Sequence, residues 1–280
     1  MSGTEIVLLV IGTLAAFAVG SFTCVVIDRL PLALDEENEY GELWDTRPWG
    51  EVIGGHSRCS TCGTAVRPVD NIPVVSWMVL RGRCRGCSDR IPAFHPIIEL
   101  LCPILFLGAV WAIGATWLLL PALWLIPVGL AVSTIDFRTL MVPTRIVWPA
   151  FAVMIVLCAI AAGVEGEWER MLSAAIGLAV VAGPLFVLWF VMPKNMGFGD
   201  VRLAVLLGWT VGFFAGDKPA GALILGLIYI ALSSIIGIMI GVVGLGARGR
   251  KAKVPFGPSM VIAAYLCVAL APQILDPFNL

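Results

Sequence analysis

Two carboxylates and four thiols carry the chemistry this sequence could do. Asp200 follows two glycines in Gly197-Phe198-Gly199-Asp200 and stands directly before an apolar run. An Asp at mid-membrane costs about 2.5–3.5 kcal/mol, so one kept at the edge of a span invites a functional reading. The bland alternative is that Asp200 N-caps the helix behind it. Gly197 and Gly199 free the backbone for φ > 0 and for close approach of another segment. Asp136, in Ser133-Thr134-Ile135-Asp136-Phe137-Arg138, ends a second apolar run. Its bland reading is an interfacial acid paired with Arg138 or Arg145. Two such acids across a cleft share one proton, so one activates water while the other polarises a carbonyl. That is aspartyl protease chemistry. Serine and cysteine nucleophiles lack a base, because the two histidines, His56 and His95, both lie near the cysteine-rich loop. Glu99, about a turn inside the second helix, is the remaining membrane-depth acid. It is the candidate for contacting a cofactor, or else for binding an Arg of the loop.

The thiols form two pairs, Cys59-Ser60-Thr61-Cys62 and Cys84-Arg85-Gly86-Cys87, with 21 residues between them. That spacing is close to a four-thiolate zinc ribbon. Four sulfurs fill a tetrahedral shell and leave no open position, so the expectation is a structural metal and no catalytic one. Reduced thiols or a redox-labile pair in a folded loop are the alternative. Cys24, Cys102, Cys158 and Cys267 lie in apolar runs and read as small hydrophobes.

The elements that must position these groups are membrane helices. Of 280 residues, 59% are hydrophobic and 13% charged, too few charges to cover a water-facing surface. A net charge of −1 gives no case for nucleic acid. Apolar runs at about 5–27, 95–113, 115–134, 145–163, 171–192, 201–216, 219–244 and 256–275 predict some eight spans. The run 201–216 is short and suggests a thinned or water-accessible region, and Gly114 alone splits a helical hairpin. With the N-terminus outside, 16 of the 18 basic residues face the cytoplasm. They include eight Arg of loop 28–94 and Lys194, Arg202, Arg248, Arg250, Lys251 and Lys253; Arg170 and Lys218 are outside. Helix parity then puts Asp136, after the third span, and Asp200, before the sixth, at one cytoplasmic depth. The expected fold is an all-α polytopic membrane protein. A first span at 1–27 leads to a cytoplasmic Cys-rich, zinc-ribbon-like domain at 28–94. Residues 95–280 form a seven-helix domain that carries the acids.

Several of these segments together are similar to the type IV prepilin peptidase family, bifunctional leader peptidases and N-methyltransferases. They are Gly20-Ser21-Phe22, Arg29-Leu30-Pro31, the cysteine pairs around Asp70-Asn71-Ile72-Pro73-Val74-Val75-Ser76-Trp77, and His95-Pro96-Ile97-Ile98-Glu99-Leu100. Ile135-Asp136, Met196-Gly197-Phe198-Gly199-Asp200 and Val254-Pro255-Phe256-Gly257-Pro258 complete the set. The resemblance implies catalytic aspartates at Asp136 and Asp200, in an inner-membrane enzyme. It implies cleavage of prepilins or pseudopilins after the glycine that ends a short basic leader, ahead of an apolar helix. It further implies methylation of the new N-terminus from S-adenosylmethionine. The chain departs from the pattern at Thr144, where many relatives carry an acid, at Arg202, a common lysine, and at Ser60, often a proline. The acidic residues of 35–51 suit attraction of a basic leader. Two rival readings are a GxGD protease with another substrate, and a transporter or assembly scaffold that uses the two acids for protons or ions.

Overall fold

The computed structural model describes residues 3–30, 36–37, 43–44, 48–193, 196–248 and 254–278. Apolar runs become helices because a backbone in lipid has to satisfy its own N–H and C=O groups. In chain order these are α1 (Gly3–Arg29), the short α2 (Trp49–Ile53) and α3 (Val75–Val79), and α4 (Phe94–Ile113). Then come α5 (Leu119–Thr139), α6 (Thr144–Glu165), α7 (Glu169–Val191), α8 (Phe198–Phe214), α9 (Pro219–Arg248) and α10 (Gly257–Leu275). Eight of these are long, and seven are long and apolar enough to cross a membrane. The exception is α8, whose 17 residues rise about 26 Å against a hydrocarbon core of about 30 Å.

Helix ends differ from the hydropathy reading where polar residues continue a helix. Gly114, at φ +80°, ends α4, and α5 begins only at Leu119 and runs on to Thr139. Asp136 therefore lies inside the last turn of α5, not after it. In the same way α8 starts at Phe198, with Gly197 as its N-cap and no side-chain cap bond. Asp200 is thus in the first turn of α8 and does not cap it.

The chain divides into two compact units, Met1–Leu107 and Gly108–Leu280. In the first, α1 lies against the start of α4: a Cβ on Gly20 would stand 3.0 Å from Glu99 Cα. His95 Nε2 meets Asp28 Oδ2 at 2.8 Å. Arg29, closing α1, donates to the carbonyls of Val52, Gly54 and His56, which ties the following loop to the helix end. Of the acidic residues in 35–51, Asp35, Glu39, Glu42 and Asp45 lie outside the described residues. Glu36–Glu37 and Leu43–Trp44 pair as two short antiparallel strands, and Glu51 is in α2.

The second unit is built from α5 to α10, and α7 and α8 form its closest pair. Small residues repeat every four positions on both helices, Ser173 and Gly177 facing Gly208 and Gly212. A Cβ on Gly177 would stand only 2.5 Å from Gly212 Cα. Close backbone approach of this kind is how membrane helices gain contact without a hydrophobic driving force. Trp209 of α8 meets Phe151 of α6 edge to face, 5.9 Å between ring centroids. Tyr265 of α10 donates to the Leu125 and Ile126 carbonyls of α5 at 3.0 and 2.8 Å.

Candidate functional site

The two predicted aspartates come together. Asp136, 4% exposed, closes α5; Asp200, half-buried, opens α8, and the two carboxylates are within electrostatic reach of one another. Asp136 Oδ2 accepts a 2.8 Å hydrogen bond from the N–H of Gly257, the first residue of α10. A Cβ on Gly257 would stand 2.7 Å from that oxygen, so glycine is required for the contact. Among the described residues Asp136 pairs with neither Arg138 nor Arg145, and the Asp200 carboxylate accepts no hydrogen bond. Both bland readings therefore fail on geometry. Of the two glycines before Asp200, neither takes a positive φ. Gly199 serves by closeness instead, since a Cβ there would lie 2.9 Å from Val142 Cβ, just before α6.

Two members of this neighbourhood were not singled out by sequence. One is the Gly257 N–H. Its signal was available in Phe256-Gly257-Pro258, because the first N–H groups of a helix have no internal acceptor. The other is Tyr229 of α9, 1% exposed, whose hydroxyl has no hydrogen-bond partner among the described residues and which feels the charge of Asp200. No motif marks it. Arg202, two residues after Asp200, packs its guanidinium over the Phe198 ring, 4.7 Å from the centroid, and donates to Thr144 Oγ1. The two departures noted at Thr144 and Arg202 therefore touch each other.

The four cysteines also converge. Cys59, Cys62, Cys84 and Cys87 place their sulfurs within 4.8 Å of one another. Each pair is carried by a small hairpin: Arg58 bridges Ala65 around the first and Arg83 bridges Arg90 around the second. In the first, Cys59 N–H donates to Thr64 O and Gly63 N–H to Cys59 O; in the second, Cys84 N–H donates to Asp89 O and Ser88 N–H to Cys84 O. The residue after each second cysteine takes positive φ, +69° at Gly63 and +61° at Ser88. Cys59 Sγ lies 3.8 Å from Cys87 Sγ, matching the S···S separation of about 3.8 Å in a tetrahedral shell with 2.3 Å Zn–S bonds. The donor set fits a zinc-type ion.

Electrostatics agree with that fit. The Thr64 hydroxyl, then its backbone, pulls the Cys62 thiol down to about 6. Backbone N–H groups of Cys87 and Gly86 lower Cys84. The Asp89 backbone pulls Cys87 down, yet desolvation and the neighbouring thiols carry it up to about 12. Hydrogen bonds among the thiols thus favour the thiolates of Cys62 and Cys84 at the expense of Cys87; a bound cation would favour the thiolate at every ligand. Beside the knuckles, Arg85 grips Asp70 through two bonds of 2.9 and 2.6 Å and holds its carboxyl below the usual range.

Glu99 lies on α4, in the first unit. It is 8% exposed, and its Oε2 accepts the Val74 N–H at 2.7 Å. No loop Arg binds it among the described residues.

Fold and site define a multi-pass membrane protein with one acid pair at the ends of two helices and a four-thiol knuckle on a loop. Residues 14–113 match the family described as Bacterial Peptidase A24 N-terminal domain, and residues 123–242 match the Type IV leader peptidase family. A prepilin leader peptidase/N-methyltransferase of Pseudomonas putida is 30% identical, covering 94% of this chain and 91% of the relative. One from Stutzerimonas stutzeri is 32% identical, covering 91% and 88%; one from Pseudomonas aeruginosa PAO1 is 30% identical, covering 93% and 90%. No solved structure matches the chain. The chain belongs to the type IV prepilin leader peptidase/N-methyltransferase family.

Proposed function

We propose that the chain cleaves the leader of prepilins or pseudopilins with Asp136 and Asp200, and methylates the new N-terminus. The observation that carries this is the approach of two carboxylates from the end of α5 and the start of α8. Two carboxylates brought to about 3 Å share a proton. Asp136, held by the Gly257 N–H, is assigned as the base that takes a proton from water as the water oxygen attacks the scissile carbonyl. Asp200 carries the shared proton to the carbonyl oxygen. Collapse of the tetrahedral intermediate breaks the C–N bond, and the leaving amine takes a proton from the pair. Gly197 and Gly199 are the supporting loop.

The placement of Lys and Arg supports an inner-membrane orientation with the N-terminus outside and the aspartates at the cytoplasmic edge. A basic leader and the apolar helix behind it would present the scissile bond at that depth. We divide the chain into a first span at 1–27, a cytoplasmic Cys-rich domain at 28–94, and a membrane domain at 95–280 that carries the protease site. Zinc held by Cys59, Cys62, Cys84 and Cys87 acts structurally. S-adenosylmethionine, when bound, would supply an electrophilic methyl to the free N-terminal amine.

Mass spectrometry of a co-expressed prepilin, with wild type, Asp136→Asn and Asp200→Asn, reports leader removal and methyl addition together. Loss of cleavage in both variants is expected. Full cleavage by both would favour a transporter or scaffold.

A further inference from the structure

The stretch from Val69 to Val79 is inside out. Ile72, Val75, Met78 and Val79 are 47–71% exposed, and Val75, Met78 and Val79 share one face of α3 by their spacing. The polar side chains turn the other way, Asn71 alone excepted. Asp70 is gripped by Arg85. Ser76 accepts from Ile72 N–H and donates to Val69 O, both at 3.0 Å, and Trp77 Nε1 donates to Ile91 O. A contiguous apolar patch on a folded surface marks a contact with a membrane or with another protein.

Depth and backbone bonding favour the membrane. Val74 N–H reaches Glu99 Oε2 at 2.7 Å. Glu99 stands five residues into the candidate span α4, about 7.5 Å along its axis, between exposed Ile97 and Leu100. Ile72, Val74 and Val75 line one cavity with Phe22 and Val25 of α1 and with Leu100. The patch therefore continues the apolar surface of two candidate spans. From Ile72 to Ser76 every backbone N–H also has an acceptor within the protein. Ser76 Oγ takes Ile72 and Glu99 takes Val74; Pro73 O takes Val75 at 2.6 Å and Ile72 O takes Ser76. Pro73 has no N–H to satisfy. Hydrocarbon demands this completeness and water does not. Reaching it puts Val74 at φ 61°, ψ −49°, the centre of a strained γ-turn. Arg67 and Arg81, both exposed, bracket the stretch and suit anionic headgroups.

We propose that residues 69–79 form a re-entrant arm that inserts Ile72, Val75, Met78 and Val79 into the leaflet beside α1 and α4. Its partner is the headgroup–acyl boundary of an anionic bilayer. Glu99 then has a part in the fold, as the acceptor that lets the arm's turn leave water. The four-thiol knuckle, tied to the arm through Asp70 and Arg85, lies at the membrane surface. The inference holds whichever reaction the aspartates perform.

The test uses the full chain with its metal, in nanodiscs of phosphatidylcholine and phosphatidylglycerol, with isotope-labelled methionine methyls. Met78→Leu, Met154→Leu and Met239→Leu assign three signals. Met239, exposed on α9, and Met154, buried, are the internal standards. Paramagnetic broadening is read from a nitroxide lipid labelled near the top of its acyl chain, and separately from a gadolinium chelate in the water. The Met78 signal should be lost with the nitroxide lipid, as for Met239, and kept with the chelate. Loss with the chelate, whatever the lipid does, places the arm in water and overturns the inference. A signal kept with both probes, as for Met154, overturns it in favour of a protein that covers the patch.

Discussion

The Cys-rich segment and the aspartate bundle hold their polar groups by opposite means. Around the cysteines most side chains are exposed, and few apolar residues are buried. Order there comes from short hairpins, the Arg85–Asp70 pair and sulfurs gathered within 4.8 Å. A segment this small cannot bury enough apolar surface to stand alone, so a metal is its natural core. The aspartates depend on long-range packing. Asp136 and Asp200 are 64 positions apart in the chain, and they meet only because α5, α8 and α10 pack together. One region is organised by local chemistry, the other by helices that approach closely. Damage should therefore spread differently in each.

The largest expected effect is in the first region. Structural zinc contributes on the order of 10–16 kcal/mol in finger-sized domains. Chelation, or Cys84→Ala, should remove hydrogen-exchange protection from residues 57–91 in an all-or-none manner, with α5 to α10 unchanged. Protection that survives metal removal would make the thiols incidental. Next is Asp200→Ala, which should lower prepilin cleavage by roughly 10⁴-fold or more without moving thermal stability downward. A gel-based cleavage assay and a melting curve in detergent check this together. Third is Gly212→Val, which overpacks the α7–α8 contact and should cost at least about 1–3 kcal/mol. Cleavage and melting temperature should fall together, whereas the Cys-rich segment keeps its protection. The smallest effect belongs to Ser88→Gly, which relieves positive φ at the second hairpin and should stabilise by about 1 kcal/mol or less. Metal-release midpoints under chelator titration would detect it; an unchanged midpoint would mean that the hairpin carries no strain.

What sequence reading could reach follows the same division. The cysteine knuckle is legible because its ligands are close in the chain and their type and spacing announce a metal. The helices are legible because apolar runs are long. Their ends are not: Ser133, Thr134 and Asp136 look like a terminus by hydropathy, yet they continue α5, since backbone hydrogen bonding does not stop at a polar side chain. Asp136 and Asp200 are visible as residue types at matching depth. The Gly257 N–H on Asp136 comes from 121 positions away and is a backbone group, so only packing reveals it. Tyr229 and the Val74–Glu99 contact were hidden for the same reason. Motif residues such as Val74 show identity but not torsion, and here the torsion aims the N–H.

The tight α7–α8 contact has a mechanical consequence. With backbones touching at Gly177 and Gly212, two helices become a single strut, and sliding one past the other would drive main-chain atoms together. Asp200 rides on that strut and has no independent travel along it. If the gap between the acids must widen to admit a peptide, the parts that lie off this strut are the end of α5 and the lead-in to α10 at Gly257. The hinge would then be on the side of Asp136, with Asp200 acting as the fixed jaw.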